Sequence, residues 1–258
     1  MEEEFHNHMR IPWHDYTRKS LGHPITEASL SEKASIIGRT GIMLLSCGTG
    51  AWRVRSSMNT LARELGITCT ADIGLLSIEY TCIDGGDCYT ESLCLFNTGV
   101  NTSKLYRMEL FVNKFATNCK KMSGDELHTL LDQIHEIHGF YSPPFLGLAA
   151  AVACCAFTFL LGGGPTEMFC AFLGAGAGNY LRAKMNQHHL TLFLCTAASV
   201  ALACVVYTIS FMALKSGFDV SIHHQAGYIC SMLFIIPGFP FITSGIDLAK
   251  LDMRSGLE

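Results

Sequence analysis

The sequence predicts a water-facing α+β domain followed by an all-α polytopic transmembrane bundle of four helices. Three observations carry this expectation. Charge is segregated: residues 1–142 hold 30 of the 40 Asp, Glu, Lys and Arg residues, and residues 143–258 hold the other 10. A composition shift of that size marks a boundary between a water-facing and a lipid-facing part. Four apolar runs follow Pro143-Pro144, and upstream of them Asp84-Gly85-Gly86-Asp87 lies between two stretches of β-type residues. The expected organisation is a tail over 1–32, an α+β domain over 33–142 and a helical membrane domain over 143–258.

Each apolar run was weighed against the ~20 residues that cross about 30 Å of hydrocarbon. The first, Phe145–Leu161, has no charge and ends at Gly162-Gly163-Gly164-Pro165. The second is the shortest, with 14 residues between Glu167 and Arg182, and it carries Gly174-Ala-Gly-Ala-Gly178. Small residues spaced in that way let helix backbones approach closely, so Gly174 and Gly178 are expected packing positions. Leu190–Leu214 is the longest run, and Ala226–Ile246 is the fourth, interrupted by Pro237 and Pro240. Lys and Arg favour the cytoplasmic side of short loops. Arg182, Lys184, Lys250 and Arg254 against Lys215 alone place the N-terminal domain and the C-terminal tail in the cytoplasm, for a multi-pass protein of the cell inner membrane. No signal peptide is expected, since Met-Glu-Glu-Glu opens the chain without an apolar core.

In the first half, residues 1–32 are polar and carry His6, His8, His14 and His23. They read as a mobile tail, with weak metal binding the alternative. Ile37, Ile42, Leu44 and Leu45 suggest one helix, and Trp52 to Leu65 a second that closes at Gly66. The runs on either side of Asp84-Gly85-Gly86-Asp87 read as a hairpin, because glycine supplies the positive φ of a tight turn. Helices return over Leu105–Cys119 and Asp125–Ile137, the latter capped by Ser123.

Composition excludes several functions. A net charge of −4 with no basic cluster argues against a nucleic-acid partner. The twelve cysteines form no Cys-x-x-Cys knuckle, and thiols inside apolar runs pack as small hydrophobes. His128, Asp132, His135, Glu136 and His138 crowd one helix without zinc spacing, so they read as a solvated face and no metal is expected. No nucleophile elbow, P-loop or dinucleotide fingerprint is present, so neither catalytic residues nor a cofactor is expected. The membrane half offers more. Glu167 and Asp247 are ionisable groups at the ends of apolar runs, where such groups often serve proton transfer, interfacial capping being the alternative. Pro237-Gly238-Phe239-Pro240 removes two backbone donors and must break a helix. Broken helices build transporter substrate sites from freed backbone dipoles, a plain kink being the alternative. Substrate is therefore expected at Pro237, Gly238 and Pro240 with Asn179, and proton coupling at Asp247 and Glu167.

The chain resembles the threonine/serine exporters. The resemblance rests on Gly38-Arg-Thr-Gly41, Ala62-Arg-Glu-Leu-Gly66, the small-residue stretch Gly174–Tyr180, and above all Ile236-Pro-Gly-Phe-Pro-Phe-Ile242 with Asp247. It covers residues 33–258. It implies export of small hydrophilic metabolites such as threonine and serine, driven by the proton gradient, with a dicarboxylate such as succinate as the other substrate class. It also implies a second membrane subunit of the family or a homo-oligomer, since complete exporters carry two membrane halves. Members continue past the Asp247 region into another span, and this sequence stops at Glu258. The competing reading is a membrane-anchored sensor whose residues 33–142 bind a ligand without flux.

Overall fold

Ser29 begins the first long helix, α1 (Leu30–Ser46), by accepting the Glu32 N–H with its hydroxyl. That satisfies one of the donors a helix start leaves without an intrahelical partner. A computed structural model of the chain describes residues 11–17, 22–95, 98–137, 141–188, 190–217, 225–236 and 238–257. The chain divides into two compact units, Met1–Gly139 with Gly238–Glu258, and Phe140–Pro237.

In the first unit, α1 is buried from Glu32 to Leu45. It is followed by α2 (Ala51–Glu64), which ends where Gly66 takes φ +74°. Strands β1 (Thr68–Ile73), β2 (Ser77–Asp84) and β3 (Asp87–Cys94) form an antiparallel sheet in the order β1-β2-β3. Asp84 pairs with Asp87 across a two-residue turn whose glycines have φ +57° and +119°. Both signs are positive, as a twist-matched hairpin turn requires. The period-2 alternation turns Ile78, Tyr80 and Cys82 inward onto α1. Contact there is close: a Cβ at Gly38 would lie 2.3 Å from the Tyr80 hydroxyl, and one at Gly41 2.7 Å from Met58 Sδ. Helices α3 (Thr102–Lys114) and α4 (Gly124–His135) complete the layer over the core. Asn101 caps the first through Lys104 N–H. Ser123 and Glu126 cap the second reciprocally, a capping box. One large core results, built on Ile36, Leu44, Met58, Leu61, Ile73, Phe115 and Leu127.

The second unit contains α5 (Pro143–Leu160), α6 (Pro165–Gln187), α7 (Leu192–Gly217) and the short α8 (Gln225–Cys230). α6 packs along both α5 and α7. Its interior is thin, and apolar side chains such as Leu148, Val152, Phe159, Val205, Ile209 and Met212 face outward. After the break, α9 (Gly238–Ala249) and α10 (Met253–Leu257) belong to the first unit.

The expected bundle of four transmembrane helices is not what forms. Among the described residues, two helices are long and apolar enough to cross a membrane, Pro143–Leu160 and Phe193–Ser216. The count reaches three only if Gln225–Ile235 and Gly238–Ala249 together make one broken span. The reasons are physical. α6 is long enough, but its glycines, Asn179, Glu167, Arg182 and Lys184 lower its hydropathy. The run Ala226–Ile246 is not continuous: α8 gives way to a 3-10 turn at Leu233–Ile235, and the chain resumes as α9 after the proline. Hydropathy sees the apolar residues and not the break.

Candidate functional site

Within Phe140–Pro237, polar groups gather at the two ends of α6. At its start, Pro165 occupies the first turn and Glu167 Oε2 accepts the Gly164 N–H at 2.9 Å. Glu167 is 8% exposed although it carries a carboxylate. Tyr207 of α7 is buried beside it, stacked on Phe211 with ring centres 6.2 Å apart and edge-on to Tyr228 at 5.6 Å. The start of α8 closes over both. A Cβ at Gly227 would lie 2.6 Å from the Tyr207 hydroxyl and 2.8 Å from Glu167 Cβ. A carboxylate and a phenol in apolar surroundings are groups that can hold and pass a proton.

At the other end, Asn179 donates from Nδ2 to the Leu146 carbonyl of α5 at 2.8 Å. Arg182 donates from Nη1 to the Phe234 carbonyl at 3.3 Å, in the turn just before Pro237. Its Nε is buried and has no hydrogen-bond partner among the described residues. The ends are separate: fifteen residues of helix put Glu167 and Arg182 roughly 22 Å apart at 1.5 Å per residue. Between them the glycines meet α7. A Cβ at Gly174 would lie 2.9 Å from the Ala203 carbonyl oxygen, and one at Gly178 2.8 Å from the Ser199 carbonyl oxygen. In the sequence Arg182 is a loop charge that bounds the second apolar run. Its link to Phe234, 52 positions on, has no local signal.

The remaining expected site residues fall elsewhere. Pro237 lies outside the described residues, as do His6, His8 and His138. Gly238 and Pro240 form the first turn of α9 in the other unit. Asp247, 1% exposed, is there occupied as an acceptor: Oδ2 takes the Ala51 N–H at 2.9 Å and Oδ1 the Trp52 N–H at 3.3 Å. Ser255 Oγ donates to Oδ2 at 3.0 Å.

A second polar cluster lies in the first unit. Arg39 is buried and donates to the His128 carbonyl at 3.0 Å, to His128 Nδ1 at 3.2 Å and to Asp132. Since Nδ1 accepts, His128 is the neutral tautomer that donates from Nε2 to Ser35 Oγ at 3.1 Å. Burial first, then the adjacent Arg39, pushes its pKa down to about 3. The expected solvated face is thus wrong at His128, which is fully buried. His14 bridges Asp125 from Nδ1 at 2.7 Å and Asp132 from Nε2 at 2.8 Å. Both partners accept, so the ring must be protonated, and hydrogen bonds to the two carboxylates raise its pKa. At Asp132 burial works upward, but hydrogen bonds from His14 and Arg39 outweigh it and hold the carboxyl below its usual range. A groove of about 380 Å³ lies between α3 and α4, lined by Phe111, Leu130 and Ile134 with Arg107 and Lys114.

Long apolar helices joined to an α+β unit with its own apolar core define a membrane protein. The family follows from the sequence match: residues 35–258 fit the family ThrE, described as "Putative threonine/serine exporter", and the chain belongs to that family. It is 25% identical over 220 residues to "Probable succinate transporter subunit YjjP" of Escherichia coli (strain K12), covering 84% of this chain and 82% of that protein. The protein of the same name from Klebsiella aerogenes is 24% identical over 220 residues, covering 84% and 81%. No solved structure matches.

Proposed function

We propose that this chain is one subunit of a secondary transporter that exports small carboxylate-bearing metabolites, threonine and serine foremost. The carrying observation is the arrangement along α6. A buried carboxylate beside Tyr207 lies at one end, and at the other, beside Asn179, lies a guanidinium whose buried Nε has no partner among the described residues. Arg182 and Asn179 suit a substrate carboxylate, because a guanidinium offers paired donors to it. Pro237 and Pro240 support the same reading from sequence, since missing donors free carbonyls that can accept an ammonium. Glu167 is the group we assign to proton exchange.

The family description favours an amino acid, and the name shared by the relatives favours succinate. Both substrates carry the carboxylate that Arg182 would bind. The word subunit in that name supports a partner, which we take to be a second membrane subunit of the family. Arg182 and Lys184 beyond the apolar part of α6, and the free cysteines among the described residues, support a cytoplasmic N-terminal domain at the inner membrane.

The test is efflux of labelled threonine, serine and succinate from cells producing the chain with and without a second subunit. Export should need both proteins. Arg182→Gln should lower it about tenfold, the loss that ~1.4 kcal/mol of binding represents. Efflux of all three at the rate of cells lacking the chain would sink the proposal. The sensor alternative gains nothing from family membership, and it would show ligand binding without flux.

A further inference from the structure

Asp247 is expected from the sequence to serve proton coupling, yet its carboxylate is taken up by a helix 195 positions upstream. The contacts are numerous and chemically independent. Both carboxylate oxygens accept backbone N–H groups at the start of α2, where four donors have no partner in the helix and the dipole favours a negative charge. Gly50 makes room: a Cβ there would lie 2.6 Å from Asp247 Oδ1. Three residues downstream of α9, Asp252 pairs with Arg55 of α2, whose Nε also donates to the Ala71 carbonyl of β1 at 3.0 Å. Arg254 pairs with Asp72 of β1, and Lys250 lies 4.9 Å over the Trp52 ring.

The turn that makes this possible is strained. Leu251 has φ +66°, where a side chain is disfavoured. Asp252 N–H reaches back to the Asp247 carbonyl at 2.9 Å, and Leu251 N–H to that of Leu248 at 3.1 Å. That pair of bonds is a Schellman closure, which normally takes glycine at the left-handed position. A bulky residue persists there when surrounding contacts fix the turn. Here they return Ser255 onto Asp247.

We infer that Asp247 is a positioning residue: it latches the helix after the proline break onto the first turn of α2, so that the water-facing domain sets where that helix is held. The inference deepens the transporter reading and rests on it for its effect on export. The latch itself stands on geometry alone. It also places Gly238–Leu257 in the same compartment as α2. Asp247 then acts as an acceptor of hydrogen bonds, and its loss is felt through α9 rather than through proton transfer.

Hydrogen exchange of the full chain in detergent, read at the Ala51 and Trp52 amides, tests the latch. Asp247→Ala should speed exchange there about tenfold to a hundredfold, the range for losing charged hydrogen bonds. Gly50→Ala should do the same while leaving the carboxylate in the chain, because the added methyl evicts it. Combined, the two changes should have no more effect than either alone. Asp247→Asn keeps one acceptor oxygen and should fall between. Unchanged exchange in Asp247→Ala would overturn the latch. Export measured on the same variants tests positioning: Gly50→Ala should lose export in step with amide protection. Wild-type export by an unlatched Gly50→Ala would overturn the positioning role. So would a dead Asp247→Asn variant whose amides remain protected, which would return Asp247 to the proton path. Absence of export by the unmodified chain together with a second subunit would remove the transporter reading and leave the exchange result untouched.

Discussion

The two units of this chain hold themselves together in opposite ways. Met1–Gly139 with Gly238–Glu258 has one large core, in which buried Arg39 and His128 are hydrogen-bonded to each other and Arg39 reaches Asp132. Among the described residues, Phe140–Pro237 has a buried apolar cluster of Cys170, Ala171, Tyr207 and Phe211, and many of its outward side chains are apolar. In water that second pattern would not fold, since most of its apolar area stays exposed. In lipid there is no hydrophobic gain from helix contact, so close backbone approach must serve instead. The glycines of α6 therefore stand where the first unit places isoleucine and leucine.

This comparison can be broken most severely at α6. Gly178→Leu should abolish stable assembly of the second unit, since a carbonyl, a phenyl carbon and a methyl all lie within 2.9 Å of the first added carbon. Size-exclusion profiles of the full chain in detergent would show aggregation. Both tryptophans, Trp13 and Trp52, lie in the first unit, so their emission reports that unit alone. A monodisperse, normally exporting Gly178→Leu variant would mean that glycine faces are not what holds Phe140–Pro237 together.

A smaller effect is expected where the first unit is tight. Gly38→Ala drives a methyl into the Tyr80 ring, and over-packing of this kind costs about 1–3 kcal/mol. The tryptophan-detected melting temperature should drop while the size-exclusion profile is unchanged. An unshifted transition would show that the sheet can retreat from α1.

The smallest effect sharpens the contrast through pH. The raised pKa of His14 means that its stabilisation is fully present below about pH 6.5 and is lost as pH rises through the folded value. His14→Ala should flatten that dependence, by less than about 1 kcal/mol because the ring and both carboxylates are nearly half exposed. His128 has the opposite sign. Its depressed pKa favours the fold above pH 6.5 and costs stability as pH falls toward 3. Tryptophan-detected melts from pH 5 to 9 would separate them, and a pH slope that survives in His14→Ala would assign it elsewhere.

What could be read in the sequence follows the range of each interaction. The Asp84–Asp87 turn was legible because its constraint is local: two positive φ angles demand glycine. Strand β1 was merged with β2, because the reversal at Gly74–Ser77 uses Leu75 and Leu76, apolar residues that continue a β-type run. The α6 glycines were legible as a face, while the partner helix was not. The contacts of Asp247, Arg182 and His128 left no local signal, for one shared reason. Their partners lie 195, 52 and 89 positions away. Hydropathy also reads the fourth apolar run as one span, since it cannot register the break before Gly238.

The closure at Leu251 bears on how this protein should be handled at the bench. The polar contacts that fasten the C-terminal segment after that turn include those of Asp252, Arg254 and Ser255. A reporter or affinity tag fused at Lys250 would delete all three and leave Asp247 with two donors instead of three. Side assignments made from such a fusion would describe a molecule with its fastening cut. Tags belong after Leu257, and a glycine at 251 would give a relaxed joint against which the native one can be compared.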